Sequence, residues 1–197
     1  MKIIDCTSLI GGGKANGPMD IVKVMPETAI VRRGMPFFRP DWAESWRLTL
    51  KTGVIIDRLG KNVAPQFVRR YWNSAVLVIQ AEPTENAGPE TINIVGFDGS
   101  LLLSSPLIPP IGELSLRVNS LPRAVGEPQA LINEDFKVDF SESVAAGKIS
   151  YVSRFFTLHT GDIILIDTVP GISIEAVADT RLQIERLGYV IVNHKIK

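Results

Sequence analysis

The sequence predicts a single β-rich α+β domain, and three observations support this fold class. First, apolar and polar residues alternate over several short stretches, which is the pattern of half-buried strands. Second, the apolar spacing changes to a helical period over only one long stretch, at about 140–156. Third, 197 residues with 45% hydrophobic and 21% charged residues are enough for one substantial core.

The first half of the chain predicts mainly strands. Pro65 suits the first turn of a helix, so we expect a short helix over 66–71. The stretch 47–56 alternates throughout and predicts a long strand, and the apolar run at 75–79 predicts a central strand. In chain order, strands are expected at 2–4 (an edge strand), 21–25, 29–31, 47–56, 75–79 and 93–97.

The second half contains the long helix and further strands. Three prolines between 101 and 112 indicate irregular or edge structure. Apolar residues recur at helical spacing from Val144 to Phe156, and Ser141 is a candidate N-cap. A tight turn is expected at His159–Asp162, before a buried strand. Strands in this half are expected at 114–118, 163–166, 180–185 and 189–192.

Composition argues against several classes of function. The chain has 21 Lys and Arg against 21 Asp and Glu, and no basic run with interleaved aromatics, so neither nucleic acid nor an anionic membrane is an expected partner. The single cysteine, Cys6, excludes an internal disulfide and is expected to be a buried hydrophobe. The apolar stretch near the start is too short for a signal peptide or spanning helix, which predicts a cytoplasmic protein. The Gly11–Lys14 segment lacks the hydroxyl residue of a phosphate loop, because Ala15 follows it.

The second half of the chain carries short motifs in a specific order: Ser153-Arg154, Thr157-Leu158, Gly161-Asp162, Thr168, Gly171 and Asn193. This series resembles the fumarylacetoacetate hydrolase family. Upstream segments match in the same order, so the resemblance covers about 26–197. It implies a mixed β-roll or β-sandwich of that family's type, with one long and one short helix, in a single domain spanning 1–197. Residues 1–25 are then a divergent segment in place of the family's lid. The matching positions include Pro36, Arg39-Pro40, Arg58-Leu59-Gly60-Lys61-Asn62, Gly96-Phe97-Asp98-Gly99, Ser153-Arg154, Thr157-Leu158, Gly161-Asp162, Thr168, Gly171 and Asn193.

The resemblance also implies a chemistry. Enzymes of this family hold Mg²⁺ or Mn²⁺ with carboxylates, and the ion binds the 2-oxo acid part of substrates such as acylpyruvates. A His–Glu pair on the lid activates water for hydrolysis of a carbon–carbon bond, and related members decarboxylate or tautomerise. Family members usually form homodimers.

The residues at the matching positions differ from those of active members. The two carboxylates of the family's Glu-x-Glu motif correspond to Thr49 and Lys51, and the third metal ligand corresponds to Gln80. The lysine that precedes Gly-Phe-Asp in active members corresponds to Val95. Thr168 remains from the substrate-facing turn. A protonated ammonium has no lone pair to donate to a cation. We therefore expect no metal cofactor, and a substrate pocket formed by these five residues.

The lid pair is also missing, since the chain has no histidine and no glutamate between residues 5 and 25, where its glycines, Lys14 and Asp20 stand instead. The leading hypothesis is a protein without metal-dependent hydrolase activity that acts as a binding, regulatory or partner subunit, as a homodimer or with an active homologue. The alternative is a hydrolase, isomerase or decarboxylase on a 2-oxo acid, in which Lys51 replaces the metal and is the candidate catalytic residue. Lys51 could also simply fill the vacated space, paired with Glu44 or an aspartate.

Overall fold

The computed structural model describes residues 1–9, 21–32, 34–84, 96–122 and 128–197, and within them ten strands form two sheets. One α-helix, α1 (Glu142–Ser153), and two 3-10 helices (Glu27–Ala29 and Pro65–Arg70) accompany them. This confirms the predicted β-rich α+β fold with one long helix, and the helix expected at 66–71 is the second 3-10 helix. The strands are β1 (Lys2–Asp5), β2 (Lys23–Pro26), β3 (Trp46–Ile56), β4 (Trp72–Pro83), β5 (Leu101–Leu103), β6 (Gly112–Ser120), β7 (Ala130–Val138), β8 (Ile163–Glu175), β9 (Thr180–Arg186) and β10 (Tyr189–Ile196).

The larger sheet has six strands in the order β2-β1-β8-β3-β4-β5. Its neighbours are antiparallel except for β1 and β8, which run parallel. The prediction of β1 as an edge strand was wrong, because β2 and β8 both pair with it and Ile3 and Ile4 are fully buried. β5 ends the sheet, as the prolines after it indicated.

The smaller sheet has four antiparallel strands in the order β10-β9-β6-β7. Its inner face packs on β3 and β4 of the larger sheet to form the main core. Alternate residues of each strand enter this core, such as Leu48 and Leu50 of β3 and Leu114 and Leu116 of β6. Two sheets packed in this way form the predicted β-sandwich.

The helix α1 covers another part of the larger sheet. Ser141 caps it as predicted, since the Ser141 side chain accepts a hydrogen bond from the Val144 amide. Ala145, Ile149 and Val152 pack against residues of β3 and β8 to form a second core cluster. None of the described helices is long and apolar enough to cross a membrane.

Several boundaries differ from the predicted ones. Residues 29–31 do not form a strand, because the 3-10 helix ends at Ala29 and only Ile30 makes an isolated bridge, to Leu101. β4 and β8 extend well beyond the apolar runs that predicted them, and β7 was not predicted. Of the strand expected at 93–97, residues 93–95 lie outside the described part, as does the Gly11–Lys14 segment, and Gly96 and Phe97 are not in a strand.

Candidate active site

The candidate site lies on one face of β3, the strand with the altered residues. Leu48 and Leu50 point into the main core, so Arg47, Thr49 and Lys51 lie on the opposite face. β3 is flanked by β4 on one side and β8 on the other. These polar side chains therefore occupy the middle of the larger sheet rather than its edge.

Lys51 is buried and bonded to side chains of β1 and β4. Its ammonium lies 2.8 Å from the Asp5 Oδ2 atom of β1 and donates to the Gln80 Oε1 atom of β4 at 2.8 Å. The residues Lys51, Asp5 and Gln80 are 5%, 3% and 0% exposed. A buried charge must be paired and hydrogen-bonded, and both conditions hold here.

Asp5 supplies the negative charge of this pair. Burial by itself would raise the pKa of Asp5, but the Lys51 charge and hydrogen bonds from Lys51 and Thr7 outweigh it, so the pKa lies below its ordinary value. The Thr7 amide and hydroxyl donate to Asp5 Oδ1 at 2.9 and 2.7 Å. Asp5 is therefore ionised at neutral pH, and its charge lies beside the Lys51 ammonium.

Two donors on the same face of the sheet lack an acceptor among the described residues. The Arg47 Nε and Gln80 Nε2 atoms are buried, and neither has a hydrogen-bond partner in the part of the chain that the structure describes. Thr49 pairs with Gln80 across β3 and β4, and it lies two residues from Arg47 on the same face of β3. Because buried polar groups are almost always paired, these two donors need an explanation.

The structure brings together three of the five predicted pocket residues, Thr49, Lys51 and Gln80. The Thr49 hydroxyl lies 3.5 Å from the Gln80 carbonyl oxygen, and Thr49 is half-buried. Thr168 pairs with Lys51 in register, but it is exposed and lies within β8 rather than in a turn. Val95 is outside the described residues.

The partner of Lys51 is an aspartate, Asp5, and Glu44 is exposed. No pattern in the sequence marks Asp5 or Arg47 as a site residue. Asp5 is 46 positions away from Lys51 in the chain, and only the pairing order of the sheet brings the two together. The one available signal was that Asp5 follows the buried pair Ile3-Ile4 at the end of a strand.

These residues do not fit the divalent ion that the fold implies. Hard cations prefer several oxygen ligands, mainly carboxylates, in octahedral array. Here the matching positions offer a hydroxyl, an ammonium and an amide, and the one carboxylate, Asp5, is already bonded to Lys51. In the part of the chain that the structure describes, no group of three His, Cys, Asp or Glu side chains could hold a metal.

Comparison with known proteins identifies the fold. No protein-family model and no curated protein matches the sequence. Among solved structures, a protein from Yersinia pestis CO92 assigned to the fumarylacetoacetate hydrolase family matches with a TM-score of 0.66 and 21% identity, over 100% of this chain and 92% of that one.

Two named enzymes have a similar fold. The fumarylpyruvate hydrolase of Pseudomonas aeruginosa, solved with Mn²⁺ and pyruvate, matches with a TM-score of 0.63 and 15% identity over 98% of this chain and 87% of its own. The 5-carboxymethyl-2-hydroxymuconate delta-isomerase of Mycobacterium smegmatis matches with a TM-score of 0.67 and 17% identity, over 98% of this chain and 75% of that one. This chain therefore has the fold of the fumarylacetoacetate hydrolase family.

Proposed function

We propose that this chain lacks the metal-dependent hydrolysis of its structural relatives and acts as a binding or regulatory subunit. The observation that carries the proposal is the Lys51 ammonium, buried at a position expected for a metal-ligand carboxylate and bonded to both Asp5 and Gln80. Asp5, the carboxylate beside this ammonium, is already bonded to it and is therefore not free to bind a divalent ion. The side chains at this site can bind and orient a ligand, but among the described residues its carboxylate, Asp5, is bonded to Lys51 instead of being free to activate water.

Calorimetric titration with Mg²⁺ and Mn²⁺ tests this proposal directly, together with an assay of acylpyruvate hydrolysis. We expect neither saturable binding in the micromolar range nor hydrolysis. The variant Thr49→Glu/Lys51→Glu/Gln80→Asp restores the three carboxylates and serves as the matched control, which we expect to bind Mn²⁺. Micromolar ion binding and turnover by the unaltered chain would overturn the proposal.

A second candidate function is metal-independent binding of a small 2-oxo acid, and the two unpaired donors favour it. A ligand carboxylate over Thr49 would give Arg47 Nε and Gln80 Nε2 the acceptors that they lack. The Lys51 ammonium would add a positive charge that belongs to the protein instead of to a bound metal ion. Pyruvate is the ligand of one structural relative, the Pseudomonas aeruginosa hydrolase.

A thermal-shift measurement with oxalate and pyruvate tests this second candidate. We expect either acid to raise the melting temperature of the unaltered protein but not of Lys51→Ala or Arg47→Ala, while the exposed Lys61→Ala serves as the control. Equal shifts in all four proteins, or no shift in any, would exclude the site. We expect no borohydride trapping with pyruvate, because the Lys51 Nζ atom that would form the Schiff base is buried and bonded to Asp5 and Gln80.

We further propose that the chain works as a subunit in the cytoplasm, paired with itself or with an active homologue. The support is its similarity to a family of dimer-forming enzymes together with the altered site. Size-exclusion chromatography with light scattering measures whether the purified chain alone exceeds its monomer mass of 21.6 kDa.

A further inference from the structure

A cavity of about 380 Å³ lies where the two sheets meet, between β5 at the end of the larger sheet and β10 at the end of the smaller one. On one side of it, the Ser105 amide donates to the Ile191 carbonyl oxygen of β10 at 2.9 Å. On the other side, the Phe37 amide donates to the Lys195 carbonyl oxygen at 2.8 Å. None of the described residues that line the cavity belongs to the Lys51 site, so the cavity is a separate feature.

Apolar side chains form one part of the cavity wall. They include Val31, Leu103, Pro106 and Ile191. Small-molecule sites typically have volumes of about 300–1,000 Å³ and combine apolar walls with a few convergent polar groups. The cavity has the size and the apolar walls of such a site, so its polar groups determine the class of ligand that it takes.

His194 provides a hydrogen-bond acceptor in this cavity. It is only 6% exposed, and its Nδ1 atom lies 3.2 Å from the Met35 carbonyl oxygen. A carbonyl oxygen can only accept, so Nδ1 carries the proton in this bond. Burial lowers the pKa of His194 by more than the bond to Met35 raises it, so the ring is neutral at pH 7. Its Nε2 atom therefore has a free lone pair, to which no described group donates.

The free edge of β10 adds a backbone donor. Ile191 and Lys195 direct their carbonyl oxygens away from β9, as their bonds to Ser105 and Phe37 require. Alternate residues of an antiparallel strand point their backbone groups to the same side, so the Asn193 amide also points away from β9. Asn193 lines the cavity, and its amide has no acceptor within the described ranges.

Arg32 supplies a positive charge at the same cavity. Its side chain is exposed, and it forms no ion pair with any residue that the structure describes. No carboxylate side chain belongs to the described part of the cavity wall. Because a guanidinium can bind a carboxylate through two parallel hydrogen bonds, this charge favours an anionic ligand over a neutral one.

We infer that this cavity binds a small organic acid that carries an apolar group and a hydroxyl group. The carboxylate of the ligand binds Arg32 and the Asn193 amide, and its hydroxyl group donates to His194 Nε2. Its apolar group packs between Leu103 and Ile191. This site is distinct from the 2-oxo acid site proposed at Lys51, and neither site requires the other.

A heteronuclear NMR titration with phloretate, a propionate that bears a para-hydroxyphenyl group, tests the inference. Two analogues separate its features, since hydrocinnamate lacks the hydroxyl group and phloretamide lacks the charge. We expect phloretate to shift the Leu103 and Asn193 amide signals saturably. Hydrocinnamate should bind about fivefold more weakly, through loss of one neutral hydrogen bond. Phloretamide should bind about tenfold more weakly or less tightly still, through loss of the pairing with Arg32.

Two variants assign these contacts. His194→Asn keeps a donor for the Met35 carbonyl oxygen but lacks Nε2, so it should bind phloretate and hydrocinnamate equally. Arg32→Ala should bind phloretate and phloretamide equally, and the exposed Lys61→Ala should behave as the unaltered chain.

Three results would overturn the inference: no saturable shift at the cavity, shifts centred on Thr49 and Gln80 instead, or equal affinity of the unaltered chain for all three compounds. The comparison of the compounds uses the unaltered chain, so it does not depend on the folding of a variant. The proposals for the Lys51 site are tested with divalent ions, oxalate and pyruvate, so their failure is distinguishable from failure here.

Discussion

At the scale of single residues, the buried pair of Lys51 and Asp5 dominates the energetics of the candidate site. Removing one partner leaves the other charge buried without compensation, which destabilises by about 3–5 kcal/mol. We therefore expect Lys51→Met to lower the free energy of unfolding by about this amount. The double variant Asp5→Asn/Lys51→Met removes both charges and should lose much less. Urea denaturation of Lys51→Met, Asp5→Asn and the double variant at neutral pH measures both effects.

The exposed lysine Lys61, changed to Met, is the control for that cycle, and we expect its unfolding free energy to stay within about 0.5 kcal/mol of the unaltered value. If the double variant lost as much stability as the sum of its single variants, the two charges would not be coupled. The pairing of Lys51 with Asp5 would then contribute nothing beyond each residue alone.

Cys6 shows how burial controls chemistry at one residue. Burial raises the pKa of the Cys6 thiol to about 12, and the neighbouring Asp5 charge adds to this shift. Between about pH 9 and 12 the folded protein therefore keeps a proton that the unfolded chain releases. We expect native protein at pH 8 to be inert towards a thiol-reactive disulfide dye, and urea-unfolded protein to react with one equivalent. Rapid reaction of the native protein would contradict this account.

The sequence was sufficient to group Thr49, Lys51 and Gln80, because the order of motifs that resembles the fumarylacetoacetate hydrolase family matched them to that family's metal-ligand positions. It was not sufficient for Asp5 or Arg47. The contact of Asp5 with Lys51 depends on β1 lying inside the sheet, and the unpaired Arg47 Nε atom depends on how the surrounding side chains pack. Both are consequences of tertiary structure that no local pattern contains.

At the scale of elements, the close approach of β3 and β8 depends on Gly53. A Cβ atom added at Gly53 would lie 2.9 Å from the Ile164 carbonyl oxygen and 3.2 Å from Leu165 Cδ2. The first contact is with backbone, which cannot move without disturbing the pairing. We expect Gly53→Ala to destabilise the protein by about 1–3 kcal/mol, measured by urea denaturation. Unchanged stability would show that the two strands separate easily.

β1 and β7 illustrate why some elements were predicted incorrectly. β1 has only four residues, and its apolar pair Ile3-Ile4 did not indicate which strands flank it. In β7 the apolar residues Ile132 and Phe136 are four positions apart, which is closer to a helical than to a strand period. β7 pairs only with β6, so most of its side chains are exposed and its sequence lacks a clear apolar face. Edge strands of this kind carry little of the core pattern on which such predictions depend.

At the scale of the whole molecule, the fold could be predicted although no family model matches the sequence. Core positions of strands and the turn residues between them are constrained by packing and backbone geometry throughout the chain. Gly161, for example, has a φ of +90° in the turn before β8, a conformation that favours glycine. Site residues such as Lys51 depend on chemistry and can change while the fold persists, which is why fold and function must be argued separately.

Acid stability depends on two carboxylates that attach β1 to the rest of the molecule. Asp5 pairs with Lys51 of β3, and Asp162 accepts from the Lys2 amide at 3.0 Å and from the His159 amide at 2.8 Å. Burial by itself would raise the pKa of Asp162, but hydrogen bonds from Lys2 and His159 hold the pKa below its ordinary value, as Lys51 does for Asp5. Both groups thus bind protons less readily in the folded state than in the unfolded chain.

A carboxylate with a lowered pKa contributes stability above its unfolded value, near 3.8, and this contribution is lost as the pH falls through the folded value. We therefore expect the free energy of unfolding to fall steeply below about pH 4, as the unfolded chain takes up protons that Asp5 and Asp162 exclude. Urea denaturation from pH 7 to pH 2.5 measures this slope. Asp5→Asn/Lys51→Met lacks one of the two groups, so its slope should be smaller, while Lys61→Met should keep the full slope. Equal slopes in all three proteins would mean that the attachment of β1 through Asp5 does not contribute to acid stability.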